Sequence, residues 1–266
     1  MKKLLFFMAF AATLLVTSCT NTVNEPGART VSVYLTDDPM FHRPDMPWLR
    51  YKSVNLDVKA IQYIGKDSIW KDATFTEAVY NIKMLANGDS ALLSKINIPS
   101  GETVRHIRFV LGKNNSVVLS DGTTKQLIIP SKSDSSLVVK AWETAPTGSY
   151  SIMLDFDIAR SIIRDRSGNY ILIPKMRGFI MECTQSIEGF ILPRKLLTKV
   201  FVVNGTDTIS TLSDTLRMNY FKLNGFVPGS YTVKFMPVDS GYVTLTKTVT
   251  LSGHNRAMLG EVKVTH

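Results

Sequence analysis

Apolar and polar residues alternate with a period of two over most of the chain. Thr30-Val31-Ser32-Val33-Tyr34-Leu35, Val54-Asn55-Leu56-Asp57-Val58-Lys59-Ala60-Ile61 and Tyr231-Thr232-Val233-Lys234-Phe235 each point every second side chain the same way. Such a strand buries one face and wets the other. Turn signals separate the runs: Gly65-Lys66-Asp67, Asn87-Gly88, Asp121-Gly122, Ser167-Gly168-Asn169, Asn204-Gly205 and Ser252-Gly253. Asn-Gly and Asp-Gly pairs tolerate the positive φ of tight turns. Strands at this spacing predict an all-β chain of antiparallel β-sandwiches. Only Ala78–Leu93 and Ala159–Arg166 leave room for a short helix.

The start of the chain follows a different pattern. Lys2 and Lys3 precede a largely apolar stretch, Leu4 to Val16. It is shorter than the roughly 20 residues a membrane-spanning helix needs and matches the core of a signal peptide. Leu15-Val16-Thr17-Ser18-Cys19 resembles the lipobox of bacterial lipoproteins. That resemblance implies a signal peptide over residues 1–18 and a diacylated Cys19 as the new N-terminus. Residues 19–28, which carry Pro26-Gly27, then read as a polar tether. Acyl chains bury about 0.8 kcal/mol per CH₂, so two or three of them anchor firmly. Thr20 follows the cysteine, so the aspartate that retains some lipoproteins at the inner membrane is absent. The expected location is the outer membrane, on its periplasmic face or at the cell surface, with the membrane as a partner through Cys19.

Composition narrows the class. Of 266 residues, 44% are hydrophobic and 20% charged, which excludes a mostly disordered, collagen-like or polytopic membrane chain. The formal net charge is +9, but the basic residues of the mature chain are scattered, with Arg194-Lys195 a rare adjacent pair. No nucleic-acid partner is expected. With Cys19 acylated, Cys183 lacks a cysteine partner and reads as a buried, inert thiol. A boundary near Gly178 to Gln185 divides the mature chain into residues 29–180 and 181–266, each long enough to bury a core.

Several tracts carry a family resemblance. LTDDP at Leu35–Pro39, NIPSGETVRHIRFVLG at Asn97–Gly112, LIIPS at Leu127–Ser131, LDFDIARSI at Leu154–Ile162 and YILIPKMRG at Tyr170–Gly178 together resemble the domain of unknown function 4382. This family is found largely in lipoproteins of Bacteroidetes, and its activity is not established. The chain departs from its pattern at Asp38 and at Thr103-Val104. Residues 181–266 resemble carboxypeptidase-regulatory-like, transthyretin-like modules, through Ile187-Glu188-Gly189-Phe190-Ile191-Leu192-Pro193 and Leu223-Asn224-Gly225-Phe226-Val227-Pro228-Gly229-Ser230-Tyr231. The resemblances imply two Ig-like or transthyretin-like sandwiches in tandem. The second module's fold is shared with carbohydrate-binding domains, which makes sugar binding an analogy.

Candidate chemistry is sparse. Gly88-Asp89-Ser90 matches part of a hydrolase block, but Ala91 follows it and no Asp-x-x-His completes a triad, so a hairpin turn is the expected reading. There is no Gly-x-Ser-x-Gly elbow, phosphate loop or His pair at zinc spacing. Asp155 and Asp157 stand two apart on an expected strand and so share a face. Their repulsion calls for Ca²⁺, with Asp37 and Asp38 in the turn after the first strand as further candidate ligands, or for basic partners such as Arg160, Lys175 and Arg177. No other cofactor is implied. Trp48 with Asp45, and Trp142 with Glu143, sit in proline-containing loops where an indole could stack on a sugar; the alternative is a hydrophobic plug under each loop. Trp70 reads as core. Asp67-Ser68-Ile69, Asp89-Ser90-Ala91, Asp207-Thr208-Ile209 and Asp214-Thr215-Leu216 fit the loose Asp-Ser/Thr-aliphatic pattern of Bacteroidetes O-glycosylation.

The expected function is a non-enzymatic binding module at the outer membrane, with a glycan as the first ligand and a surface protein as the other candidate partner. The alternatives are a structural or adhesion-type subunit of a surface assembly, and an enzyme built on the four aspartates.

Overall fold

The computed structural model describes residues 27–37, 51–130, 136–140, 145–204, 207–253 and 256–266. Its first part contains β1 (Arg29–Asp37), β2 (Tyr51–Ile64), β3 (Trp70–Asp72), β4 (Ala78–Asn81), β5 (Ala91–Ile98), β6 (His106–Leu111) and β7 (Ser116–Leu119). There follow β8 (Thr124–Ile128), β9 (Ser136–Lys140), β10 (Tyr150–Phe156), β11 (Ile162–Arg164), β12 (Tyr170–Leu172) and β13 (Met176–Ile180). The second part contains β14 (Gln185–Leu192), β15 (Thr198–Asn204), β16 (Asp207–Leu212), β17 (Tyr220–Phe226), β18 (Gly229–Pro237), β19 (Leu245–Leu251) and β20 (Ala257–Lys263).

Two sandwiches follow one another. In the first, a sheet ordered β13-β10-β1-β5 packs on a larger one ordered β11-β12-β8-β7-β2-β6-β9, with β3 and β4 added along β2. In the second, β17-β14-β20 packs on β16-β15-β18-β19. Most pairs are antiparallel; β1 with β10, β12 with β8 and β14 with β20 are parallel. The first core runs from Val31 to Ile180 and the second from Ile187 to Val264.

The alternation read from sequence sets these cores. On β1, Val31, Val33 and Leu35 are fully buried while Thr30, Ser32 and Tyr34 are half-buried. Phe109 and Phe156 fill the first core. In the second, Phe221 and Phe235 meet edge to face at 5.5 Å between centroids, the geometry that ring quadrupoles favour.

The two stretches with room for a helix are mostly extended. Ala78–Leu93 holds β4, one 3-10 turn at Ile82–Leu85 and the start of β5. Helix α1 (Ile158–Ser161) is a single turn that runs straight into β11. Trp70 does not enter the core: it is half-buried on β3, and the Arg108 guanidinium lies 3.8 Å from its ring centroid. A cation over the ring satisfies the indole without burying it. Cys183 is half-buried in the connection between the sandwiches, against the first core, and burial raises its thiol pKa.

Candidate functional site

Asp37, Asp155 and Asp157, singled out by sequence, each lie beside a cation. Asp37 is the last residue of β1, not part of a following turn, and is buried. Parallel pairing of β1 with β10 sets Thr36 beside Asp155, and antiparallel pairing of β10 with β13 sets Asp155 opposite Arg177. Arg177 Nη2 lies 2.5 Å from Asp155 Oδ2. Burial raises the Asp155 pKa, and the guanidinium opposes that shift. Lys83 is similarly placed: burial lowers its pKa and the Asp37 carboxylate works against the change.

Asp157 plays a separate role. Strand β10 ends at Phe156, so the shared strand face expected for Asp155 and Asp157 is lost where the chain turns. Asp157 caps α1, with Oδ1 accepting from the Arg160 backbone N–H at 2.8 Å and Oδ2 paired with Arg160 Nε at 2.5 Å. This is the usual use of aspartate at a helix start. Lys175 contributes its backbone, accepting from the Asp157 N–H at 2.9 Å. Among the described residues, no three His, Cys, Asp or Glu side chains are grouped to hold a metal. Asp38, Asp45, Trp48, Trp142, Glu143 and Cys19 lie outside the described residues.

Asp37 and Asp155 border the junction between the sandwiches. Its centre is the Asn87-Gly88 turn, with φ of +57° and +90° and an Asp89 N–H to Ala86 carbonyl bond of 3.1 Å. This turn joins the 3-10 turn to β5 rather than linking two paired strands, so the hairpin expected there is instead a crossing between sheets. Asn87 Nδ2 donates to the Leu212 carbonyl at 2.6 Å. Its Oδ1 accepts from Thr211 Oγ1 at 2.8 Å and from the Lys222 N–H at 3.3 Å. One side chain of the first sandwich thus binds two strands of the second, β16 and β17. Alongside, Arg217 holds Asp89 through Nη1 and Nη2, at 3.2 and 2.7 Å.

A second contact comes from β13. Arg177, already paired with Asp155, donates to the Asn224 carbonyl at 3.0 Å. It reaches that carbonyl over Gly225, which has φ of +84° and sits in a register shift between β17 and β14. A Cβ at Gly225 would lie 2.6 Å from Arg177 Nη1 and 2.9 Å from the Phe179 ring. The gap between the sandwiches at Asp37, Asp155 and Arg177 amounts to only about 10 Å³, far below the 300 Å³ or more of a ligand pocket. The surface of these aspartates is a seam.

A larger opening lies elsewhere, at a fork in the big sheet. Strands β6 and β7 run successively along the same side of β2, pairing with Val58–Ile64 and Tyr51–Asn55 respectively. Between them residues 112–115 leave the ladder. Beyond this break β6 continues to β9, and β7 continues to β8. The loop is fixed from below by Asp57, which is 3% exposed, and Asn115, which is 1% exposed. Asp57 Oδ2 accepts from the Asn114 N–H at 3.0 Å. Asn115 Oδ1 accepts from the Asp57 N–H at 2.9 Å, and its Nδ2 donates to the Gly112 carbonyl at 2.7 Å. The cleft at the fork has a volume of about 790 Å³ and is lined by Lys59, residues 111–115 and residues 126–130. Sequence reasoning missed it, although Gly112-Lys113-Asn114-Asn115 between two apolar runs was a visible break.

No curated protein matches the chain. Among solved structures, the TIE protein of Bacillus anthracis is 12% identical with a TM-score of 0.25, over 80% of this chain and 34% of that one, so the chain spans about a third of its length. Shaft pilin SpaA of Lactobacillus rhamnosus GG is 11% identical with a TM-score of 0.26, over 90% of this chain and 96% of that one. The minor pilin GBS52 of Streptococcus agalactiae is 11% identical with a TM-score of 0.25, over 88% and 96%. Overlap this low carries neither a common arrangement nor a shared role. The family model is different in kind: it covers residues 28–174, the first sandwich from β1 through β12. The chain belongs to the family described as Domain of unknown function (DUF4382).

Proposed function

We propose that this chain is a non-enzymatic, lipid-anchored protein of the outer membrane, acting as a structural or adhesion-type subunit of a surface assembly. The observation that carries the reading is the junction. Neighbouring domains on one chain move relative to each other by default unless their interface is large and hydrophobic, so a polar junction has to hold them by directed bonds. Here Asn87 bonds two strands of the second sandwich, and Arg217 and Arg177 each cross the seam with a charged group. A fixed angle between modules suits a part that holds position in an assembly. It gives no advantage to a lone binding domain on a tether. Of the aspartates that offered the best case for catalysis, Asp155 is engaged with Arg177 at this seam and Asp157 with Arg160 at a helix cap.

The test uses the acylated protein in cells of its source, cross-linked and extracted in mild detergent. The expected result is a discrete complex larger than the monomer, lost on Cys19→Ala substitution because the unanchored chain leaves the membrane. A monomeric species under cross-linking contradicts the reading. So does binding of the mature chain to a glycan array that disappears in Trp48→Ala or Trp142→Ala; that result replaces assembly with carbohydrate recognition.

A further inference from the structure

The fork in the large sheet points to a ligand site independent of any assembly role, and we infer that it binds an amphipathic organic anion: an aliphatic chain ending in a carboxylate. The first support is size. At about 790 Å³ the cleft falls within the range of small-molecule pockets.

The second support is construction. A buried carboxylate and a buried amide are costly unless satisfied, yet Asp57 and Asn115 are placed under a four-residue loop and bonded to it. Gly112 is required there, since a Cβ would fall 2.2 Å from Asp57 Oδ2 and 2.7 Å from Lys59 Cε. The loop's own backbone closes the arrangement, with the Gly112 N–H on the Asp57 carbonyl at 2.7 Å and the Leu127 N–H on the Asn115 carbonyl at 2.8 Å. All of this maintains a break that a continuous β6–β7 strand would have sealed. Bulges and breaks of this kind re-aim side chains at sheet margins. Lys59 shows it directly, at a register shift between β2 and β6.

The third support is the chemistry of the walls. Ile128, 42% exposed although it lies on a strand, and the half-buried Ile129 and Pro130 form an aliphatic side, while Leu111 and Leu127 are core residues beneath it. At the polar side, the Lys59 ammonium is already shared between Glu77 at 2.7 Å and Asp57 at 3.6 Å. Lys113 has no acidic partner among the described residues and lies beside Asn114, whose amide can donate to a carboxylate, and Gln126, whose Nε2 donates to the Lys113 carbonyl at 3.4 Å. No aromatic side chain and no carboxylate is among the described lining residues. A stacked sugar or nucleobase would lack a platform, and a cation would lack a counter-charge. An aliphatic tail on Ile128, Ile129 and Pro130 with its carboxylate at Lys113 matches the exposed lining groups.

Isothermal titration of the mature chain with decanoate tests this, with decyltrimethylammonium as the cationic counterpart. The expected result is saturable one-site binding of decanoate, none of the cation, and affinity at least tenfold weaker in Lys113→Glu and in Ile128→Gln. Both positions are exposed, and an unchanged melting temperature verifies that each variant is folded. Absence of saturable decanoate binding overturns the inference. Equal binding of the cation, or unchanged affinity in either variant, overturns it as well.

Discussion

Asn87 offers the sharpest perturbation of the junction. Its side chain makes three hydrogen bonds to the second sandwich, at 2.6, 2.8 and 3.3 Å. A net value of about 1 kcal/mol each puts the cluster at about 3 kcal/mol. Every 1.4 kcal/mol is a factor of ten, so docking weakens roughly 100-fold when all three are removed. The backbone here has φ of +57°, a conformation that glycine adopts freely and alanine only at a further cost of about 1–2 kcal/mol. Asn87→Gly therefore isolates the hydrogen bonds, and Asn87→Ala adds the strain. For a domain of about 60–100 residues, the size of the second sandwich, a loss of 1 kcal/mol lowers the melting point by about 4–8 °C. Differential scanning calorimetry of Asn87→Gly should show the less stable sandwich melting roughly 12–24 °C lower and separating from the other, with Asn87→Ala lower still. A shift below about 2 °C in Asn87→Gly would refute the claim that this side chain fastens the two sandwiches.

Three further outcomes are expected. Gly112→Ala forces a methyl against Asp57 Oδ2 at 2.2 Å, so denaturant unfolding should show a loss of about 2–4 kcal/mol, in the range of overpacking and a broken buried network. Phe235→Ala opens a cavity in the second core, where the ring is fully buried, and costs about 3–5 kcal/mol by the same assay. Burial raises the Tyr51 pKa from 10.0 to about 12. The folded state keeps its phenol proton where the unfolded chain releases it, so stability is intact below pH 10 and falls as pH rises toward 12, by about 2–3 kcal/mol in total. Comparing chemical denaturation of wild type and Tyr51→Phe across that window should show a steeper loss in wild type; parallel curves would remove Tyr51 as the cause.

Sequence carried the local structure further than the long-range chemistry. The alternation on β1 and β18 is legible because one face of each strand meets a core. Asn87-Gly88 was readable as a turn, since both residues suit positive φ. Its grip on Leu212 and Lys222 was not, because those partners are more than 120 residues away. For Asp155 the residue types were informative and Arg177 was among the named cations, but the pairing depends on the register of β10 against β13. Asp57 is the clearest failure. In Leu56-Asp57-Val58 the alternation places it on a wetted face, whereas the 112–115 loop covers that face and all three residues are buried. Trp70 failed for a related reason: an arginine from β6 shields its ring, which pattern alone assigns to the core.

The fixed angle between the sandwiches is best tested by a distance distribution in solution. Spin labels at Ser120→Cys, in the exposed turn after β7, and at Thr248→Cys, exposed on β19, in a Cys183→Ser background, would be read by double electron–electron resonance. The account expects one narrow peak, broadening when Asn87→Gly is added. A broad or multimodal distribution in the parent protein would contradict it.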